Sequence, residues 1–584
     1  MKKTLLCLSL CTSVFARTAL IPESNMMNKA RFLKEELSKQ YKTNAKGDVL
    51  EVMDFGAEPS NWFNLSPSID LVEGVATESA YLKFGEPTKE IIVAVIDSGV
   101  DVNHEDLQGK VWINSDEIPN NGIDDDNNGY IDDVFGWNFI GGAKGMATIN
   151  ENASLKNGLE LIKGDPQYQV DADTLEVTRE VKRLRKLRAE LNSIGYYLSP
   201  EERANLAEYE REVSAKYAQY KISFDRAREV KEKFERSVAV LKELGLTEVN
   251  IETVSTLEIQ TEEQRTAQSD VLAILNMGYD AAIIEEEYKY AFDRMTRYDL
   301  NSKVRDIVGD DQSNPRERVY GNNDVIGPDS SHGTHVAGII AANRKNTIGT
   351  KGVATNAKIM AIRCVPNGDE RDKDVANSIR YAVDNGAKII NMSFGKSYSP
   401  NKDVVDEAVE YARSKGVILV HAAGNEFQNT DIKKKYPNKY MLDGSVASNW
   451  MEIGASAFRA DRSLAASFSN YGKTVVDLFA PGKNIRAPFP NNDYQTISGT
   501  SMATPVVSGV LALVLGHKDL SPEVLRDVAM NTTTRYPGLM IYKRGLGNTL
   551  FSNLSASGGI INVENMLEEL KVSQTPLLER VADR

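Results

Sequence analysis

Three short motifs carry a carboxylate, an imidazole and a hydroxyl that can act as one catalytic unit. Asp97 lies in the segment VIDSGVD, His332 begins HGTHVAG, and Ser501 is the third residue of GTSMATP. A serine hydroxyl is a weak nucleophile until a neighbouring base accepts its proton. An aspartate can orient that base and stabilise its protonated form. The motifs therefore predict acyl transfer, with Ser501 as nucleophile, His332 as general base and Asp97 as the orienting carboxylate.

A fourth residue, Asn425, is suited to stabilising the oxyanion that forms during acyl transfer. It follows the apolar run VILVHAAG, and its side-chain amide can donate a hydrogen bond to a tetrahedral intermediate. We expect the second donor to be the backbone amide of Ser501, because the start of a helix leaves amide groups unpaired. The alternative is that Asn425 is an ordinary turn residue.

Strands and helices alternate in the part of the chain that carries these motifs. Val- and Ile-rich runs predict strands at 91–96, 358–365, 387–392, 417–421 and 475–479. Helical periodicity lies between several of them, as at 374–384 and 403–415. This alternation predicts a mostly parallel sheet covered by helices on both faces, an α/β fold of three layers. Active residues gather at the carboxyl ends of such strands, where Asp97 and Asn425 fall.

The Asp, His, Asn and Ser segments resemble, in the same order, those of the subtilisin-like serine peptidases (subtilases) over about residues 88–140 and 320–565. The resemblance implies a subtilisin-like fold that hydrolyses peptide bonds in proteins or peptides and needs no cofactor for its chemistry. It also implies that the substrate cleft is lined by Ser393, Phe394, Gly395 and Gly424. Segment 393–395 would pair with an extended peptide backbone. A strand-end turn role for Ser393 is the alternative.

Two other functions are compatible with parts of this pattern. An esterase of the α/β-hydrolase type also uses a serine nucleophile, but GTSMA lacks the second glycine of that motif, and the order Ser, Asp, His is absent. A non-catalytic peptide-binding or scaffold protein would keep the fold without the reaction. Every reacting residue is present, so we favour the peptidase. Labelling of Ser501 by a fluorophosphonate distinguishes a peptidase from a scaffold.

Within residues 141–319 the pattern changes to amphipathic helices, which predicts a helical insertion inside the peptidase domain. A capping box with proline at the first helical position begins the longest helix at Ser199. An earlier apolar stripe at 177–194 predicts an antiparallel partner, and shorter helices are expected near 261–276 and 280–298. Two roles for the insertion stay open: regulation by leaning over the cleft, and a solvated elaboration without a role in activity.

The acidic segment DDDNNGYIDD predicts a structural calcium loop. Its candidate ligands, spaced as in a calcium-binding loop, are Asp124, Asp126, Asn128, Tyr130 and Asp132. Hard oxygen ligands of this kind suit Ca²⁺. The twelfth position is Phe135 rather than glutamate, so a bidentate ligand would have to come from elsewhere. An acidic turn that binds no metal is the alternative.

Composition and the N-terminus bear on partners and location. The formal charge of −14 argues against a nucleic-acid partner, and we expect no transmembrane segment. Two lysines and a short apolar run predict a signal peptide at residues 1–16 and a secreted, periplasmic or cell-envelope protein. A buried N-terminal helix and lipidation at Cys11 are the alternatives. Cleavage after Ala16 would leave Cys364 as the single cysteine, so no intramolecular disulfide is expected.

These changes in pattern also predict the domain organisation. The expected parts are a signal peptide (1–16), an N-terminal extension (17–88), a peptidase domain (89–140 and 320–570), the helical insertion (141–319) and a C-terminal tail (571–584). A helix is expected near 68–84 in the extension. The extension does not resemble an inhibitory propeptide of the subtilases, so the activation route is not predicted. The sequence also leaves the oligomeric state unknown.

Overall fold

The computed structural model describes residues 42–43, 49–51, 58–151, 159–543 and 545–572. The predicted signal peptide, Cys11 and residues 573–584 of the predicted tail lie outside the described residues.

A nine-stranded central sheet organises the described residues. Its strands are β1 (Ile91–Asp97), β2 (Gly136–Asn138), β3 (Ala357–Arg363), β4 (Ile389–Met392), β5 (Ile418–Ala422), β6 (Trp450–Ser456), β7 (Leu478–Pro481), β8 (Thr534–Arg535) and β9 (Gly559–Ile560). Their order across the sheet is β8-β9-β7-β6-β5-β4-β1-β3-β2, and β8 with β9 is the antiparallel pair. The predicted mostly parallel sheet is therefore confirmed. The chain order reverses beside β1, a position where open α/β sheets form active sites.

The helices of the described residues follow in chain order. They are α1 (Thr77–Phe84), α2 (Glu176–Ser193), α3 (Pro200–Lys242), α4 (Ile251–Ser255), α5 (Glu262–Asn276), α6 (Ala281–Thr296), α7 (Ser331–Ala341), α8 (Asp372–Asp384), α9 (Lys402–Ser414), α10 (Thr500–His517), α11 (Pro522–Asn531) and α12 (Val563–Val572). In the described part of the chain, four small antiparallel hairpins lie outside the central sheet: Lys42–Thr43 with Val49–Glu51, Thr148–Asn150 with Glu160–Ile162, Ile485–Phe489 with Asp493–Ile497, and Met540–Lys543 with Gly547–Leu550.

Strand β1 is apolar because its residues alternate between two cores. Val93 and Val95 pack in one core with residues of α7 and α10. Ala94 and Ile96 pack in the other with residues of α8 and α9. Successive side chains of a strand point to opposite faces of the sheet. Helices therefore cover both faces, which confirms the three-layer α/β fold.

Helix α10 is apolar on nearly every face. Among the described residues, Thr500–His517 is the one helix with the length and hydropathy of a membrane span, and 89% of it is buried inside the protein. A helix that is hydrophobic all round is typical of the centre of a large core.

The helix expected near 68–84 is wrong in its first half, since α1 begins only at Thr77. The preceding segment is held in turns by contacts that a helix would break. The backbone amide of Ser66 donates to the Asp70 carboxylate at 2.8 Å, and the amide of Val75 donates to the carbonyl oxygen of Phe63 at 2.9 Å. Ala76 has a φ of 64°, which lies outside the right-handed helical region.

The helical insertion contains the predicted helix pair and the shorter helices. The Ser199 hydroxyl accepts a hydrogen bond from the Glu202 amide at 3.1 Å, and the Glu202 carboxylate accepts one from the Ser199 amide at 2.8 Å. This capping box starts α3 as predicted. Apolar residues of α2 and α3 share a core that includes Val177, Val181, Leu184, Leu206 and Val213. Helices α5 and α6 pack against the later part of α3.

Candidate active site

Asp97 is the last residue of β1 and is only 2% exposed. Its Oδ1 atom accepts a hydrogen bond from the Ser98 amide at 2.7 Å and lies 2.8 Å from Nδ1 of His332. The fixed strand end therefore sets the direction of this carboxylate. Because Asp97 is buried and its Oδ1 atom has two hydrogen-bond partners, its carboxylate is held in place as an acceptor for the imidazole.

His332 is the second residue of α7, and its side chain keeps 37% exposure. Burial lowers the pKa of His332, but the charge of Asp97 and the hydrogen bond to it outweigh that effect and raise the pKa above its ordinary value. Gly333 permits this close contact, because a Cβ atom there would lie 2.0 Å from the carbonyl oxygen of Gly99. The imidazole thus has one nitrogen paired with Asp97 and a second nitrogen available for a proton.

Ser501 is the second residue of α10, at the start of a helix, as expected. Its hydroxyl donates to the backbone carbonyl oxygen of Ser393 at 3.0 Å. Within the described residues no hydrogen bond joins this hydroxyl to His332. The structure therefore brings Asp97 and His332 into direct contact, while Ser501 is bonded to the end of β4.

A buried polar chain fixes the position of Ser501, and sequence reasoning missed it. The Ser393 hydroxyl donates to the carbonyl oxygen of Ser501 at 3.0 Å and accepts from the Asn391 side-chain amide at 3.0 Å. The Ser508 hydroxyl donates to Asn391 Oδ1 at 2.9 Å. Asn391 is a fully buried asparagine inside an apolar strand. Such a residue signals an obligatory hydrogen-bond partner, and that signal was available in the sequence.

Asn425 lies next to the start of α10, three residues after the end of β5. Its Oδ1 atom accepts from the Thr500 amide at 2.8 Å and from the Thr500 hydroxyl at 3.1 Å. These bonds leave the Nδ2 donor directed elsewhere. A Cβ atom built on Gly499 would lie 3.6 Å from both Asn425 Nδ2 and the backbone nitrogen of Ser501. Two hydrogen-bond donors therefore flank one small space beside the serine.

The residues expected to line the cleft follow the ends of two strands, Ser393, Phe394 and Gly395 after β4 and Gly424 after β5. The Gly424 amide donates to the Thr500 hydroxyl at 3.1 Å, and Gly424 has a φ of 98°, which favours glycine. Phe394 is half-buried and packs edge-on against the His421 ring. Gly395 is exposed. The hydroxyl of Ser393 is buried in the polar chain, and its carbonyl oxygen accepts from the Ser501 hydroxyl.

Three carboxylates converge in the acidic loop. Oxygen atoms of Glu117, Asp124 and Asp126 lie within 4.8 Å of one another. Glu117 was not among the predicted ligands, although the missing bidentate ligand was expected to come from outside the loop. The Asp124 carboxylate also accepts from the backbone amides of Asn128 and Gly129, at 3.0 and 2.8 Å.

The remaining predicted ligands are differently placed. The Asp132 carboxylate accepts from the amides of Asn121 and Gly122, at 3.2 and 3.0 Å. The amide oxygen of Asn128 accepts from the Tyr130 amide at 2.7 Å. The Tyr130 ring packs against aromatic residues of the neighbouring core. Asp132, Asn128 and Tyr130 therefore have interactions of their own in the loop.

Known proteins are similar to parts of this chain. A thermophilic serine proteinase from Bacillus sp. (strain AK1) is 39% identical over 267 residues, which are 45% of this chain and 59% of that protein. Thermitase from Thermoactinomyces vulgaris is 38% identical over 38% of this chain and 77% of its own length. Subtilisin Savinase from Lederbergia lenta is 37% identical over 38% of this chain and 76% of its own length.

Each of these relatives matches about two fifths of the chain, whereas the match to a whole protein family covers a much longer part of it. The subtilase family matches residues 88–553, a span that contains Asp97, His332, Asn425 and Ser501 as well as the helical insertion. The chain belongs to the subtilase family of serine-type endopeptidases.

Proposed function

We propose that this chain is an exported endopeptidase that hydrolyses peptide bonds of proteins or peptides through an acyl-enzyme on Ser501. The observation that carries the proposal is the 2.8 Å contact between His332 Nδ1 and Asp97 Oδ1. It fixes the imidazole so that Nε2 serves as the base. The half-exposed His332 side chain is accessible to a substrate.

In the proposed reaction, Ser501 Oγ attacks the carbonyl carbon of the scissile bond while its proton passes to His332 Nε2. Asp97 stabilises the resulting imidazolium. Asn425 Nδ2 and the Ser501 amide donate to the oxyanion. The C–N bond then breaks, and His332 returns the proton to the leaving amine. A water molecule then attacks the carbonyl carbon of the ester and gives a proton to His332. The bond between that carbon and Ser501 Oγ breaks, His332 returns the proton to Ser501 Oγ, and the acid is released.

The hydroxyl of Ser501 must first leave the carbonyl oxygen of Ser393, to which it donates at 3.0 Å. A rotation about the Cα–Cβ bond of Ser501 achieves this, since serine has three staggered rotamers. Catalytic hydrogen bonds are often formed only when the substrate is bound. We propose that a substrate strand paired with segment 393–395 promotes this rotation.

Fluorophosphonate labelling tests the proposal. The folded protein should gain one covalent adduct on Ser501, and Ser501→Ala should gain none. Turnover by this variant should fall by about 10⁶-fold, the scale known from subtilisin itself. Heat-unfolded protein controls for non-specific labelling. A folded sample that is never labelled would favour the scaffold alternative, and a labelled sample that cleaves esters but no polypeptide would favour an esterase.

We also propose a structural calcium ion bound by Asp124, Asp126 and Glu117. Ca²⁺–oxygen distances of about 2.3–2.6 Å allow ligand oxygens to lie up to about 5 Å apart, which agrees with the observed convergence within 4.8 Å. A chelator should lower the melting temperature of the protein and leave that of Glu117→Gln unchanged. Asp132→Asn is the matched control, because Asp132 is an acidic residue of the same loop that does not belong to the group of three converging carboxylates, and it should keep the chelator effect. An unaltered melting temperature in the unmodified protein would favour a metal-free acidic turn.

Export is proposed from the N-terminal pattern. The intact mass of protein recovered from the periplasm or the medium should be that of a chain that begins at Arg17, the residue after Ala16. Ser501→Ala should give the same N-terminus if a separate signal peptidase cleaves there. Protein that stays in the cytoplasm with Met1 in place would contradict export.

A further inference from the structure

Lys396 follows directly after the proposed substrate segment 393–395 and is only 1% exposed at its side chain. Its ammonium group lies 3.2 Å from the Glu176 carboxylate and 2.8 Å from the Asp372 carboxylate. It also donates to the carbonyl oxygen of Glu370 at 2.7 Å. An ammonium has three protons, and three acceptors surround this one. We call Lys396 and these three partners, with Arg179, the Lys396 cluster.

Two members of the cluster come from the helical insertion. Glu176 is the first residue of α2, and its carboxylate accepts from Arg179 Nε at 3.0 Å. Arg179 also donates to the carbonyl oxygen of Asp369 at 3.0 Å, and the Glu176 amide donates to the Asp369 carboxylate at 2.8 Å. The insertion therefore holds both the segment before α8 and the residue after the substrate segment.

The charges of the cluster are buried and compensated. Burial raises the pKa of Glu176, but the charges of Lys396 and Arg179 outweigh it and lower that pKa to about 2. Glu176 is therefore ionised throughout the physiological range. Removal of one partner from such a buried group leaves an uncompensated charge, so the loss of either partner is strongly destabilising.

The backbone of Lys396 marks the end of the segment with which a peptide can pair. Its amide donates to the carbonyl oxygen of Tyr436 at 2.9 Å, and its carbonyl oxygen accepts from the Tyr436 amide at 2.9 Å. Both backbone groups of Lys396 are thus occupied within the protein. Gly395 is consequently the last residue of this segment that is free to pair with a substrate strand, and the Lys396 cluster fixes where Gly395 lies.

We propose that the helical insertion positions the substrate segment through Glu176 and Arg179, which hold Lys396 and the segment before α8. The inference rests on the proposed pairing of a substrate with residues 393–395. Glu176 and Arg179 are positioning residues: they set the binding of extended peptides and leave the acyl-transfer step itself unchanged.

The test separates KM from kcat in Glu176→Gln. The probes are a peptide p-nitroanilide with four residues before the cleaved bond and a single-residue acyl ester. For the long substrate, KM should rise about tenfold with kcat nearly constant, which is the signature of lost uniform binding. Hydrolysis of the ester and the rate of Ser501 labelling should not change, and Glu176→Asp should partly restore KM.

Asp310→Asn is the matched control. The Asp310 side chain is also buried, at 1% exposure, and its carboxylate pairs with Arg305 and with Lys373 of α8. It therefore fixes the same insertion to the same domain through Lys373 rather than through Lys396. This variant should lose thermal stability with KM unaltered. Arg179→Lys repeats the test if Glu176→Gln does not fold.

Two results would overturn the inference. One is an equal change for the long and the short substrate, and the other is an unchanged KM in a folded Glu176→Gln or Arg179→Lys protein. Absence of labelling in the unmodified protein would instead contradict the proposed function. The two failures are therefore distinguishable.

Discussion

The side chains of His332 and Lys396 both lie against carboxylates. Lys396 is a cation and His332 becomes one when it is protonated, but the surroundings of the two groups differ. His332 has a single carboxylate contact and keeps 37% exposure. Lys396 is 1% exposed and has an acceptor for each of its protons. One group keeps a free position for a reacting proton, and the other has none.

The difference shows how the same interaction serves chemistry in one place and positioning in another. A general base needs a pKa near the working pH and an open nitrogen. A positioning group needs every hydrogen bond to be satisfied in a dry site, because an unsatisfied buried charge is costly. Exposure and the number of partners, rather than the presence of an ion pair, separate the two roles.

Asp97→Asn tests His332, the group that keeps a free position for a proton, and should have the largest effect of the variants in this comparison. We expect kcat to fall by about 10⁴-fold, because the imidazole loses its orientation and the stabilisation of its charge. The pKa of His332 is raised by Asp97, so the residual activity should appear at a lower pH than in the unmodified protein. A pH profile of kcat/KM measures both effects. Asp101→Asn, in the loop after β1, is the control and should leave the profile in place.

Lys396→Met tests the other group of the comparison, in which every proton has an acceptor. It leaves Glu176 and Asp372 without their shared cation, so the free energy of unfolding should fall by about 3–5 kcal/mol. Denaturant unfolding measures this loss. Lys89→Met removes an exposed lysine that pairs with an exposed Asp519 and should have no measurable effect. A Lys396→Met protein as stable as the Lys89→Met protein would show that the cluster does not hold the insertion.

Asn425→Ala tests the side-chain donor beside Ser501. We expect kcat to fall by about 10²–10³-fold with KM nearly unchanged, as known for one such donor in subtilisin. Steady-state kinetics measures kcat and KM separately. Asn484→Ala is a control from the neighbouring loop. A purely structural turn residue would instead change stability and leave kcat in place.

Glu370→Gln should have the smallest effect and a defined pH dependence. Glu370 is buried in the segment before α8, and its Oε1 atom has no partner. Burial raises its pKa from 4.5 to about 8, against the opposing charge of Lys396 and with support from Asp369 and Asp372. The folded state therefore binds the extra proton, and stability is lost as pH rises from the unfolded pKa of 4.5 through about 8.

Glutamine does not titrate, so the melting temperature of Glu370→Gln relative to the unmodified protein should increase over this window, by a few degrees. Thermal melts between pH 5 and about 9 measure the difference. Glu90→Gln, on the surface beside Lys358, should show no such trend. A difference in melting temperature that is constant with pH would contradict the titration of Glu370.

Local signals predicted the elements well where pattern and burial agree. Strand β1 is apolar because both of its faces are buried, and the capping box at Ser199 requires only four consecutive residues. The prediction of a helix at 68–84 was wrong in its first half, because contacts with Phe63 and Asp70 override local propensity. The domain boundaries and the roles of the site residues stay predictions.

The sequence by itself determined the order and types of the reacting residues and the family to which the chain belongs. The tertiary structure decided which groups meet. Asp97 and His332 are 235 residues apart, and Glu176 and Lys396 are 220 apart. The former pair was predicted because both residues lie in recognisable motifs. The latter has no motif, since a buried ion pair depends on charge, burial and distance, and these arise only when the insertion packs against the sheet.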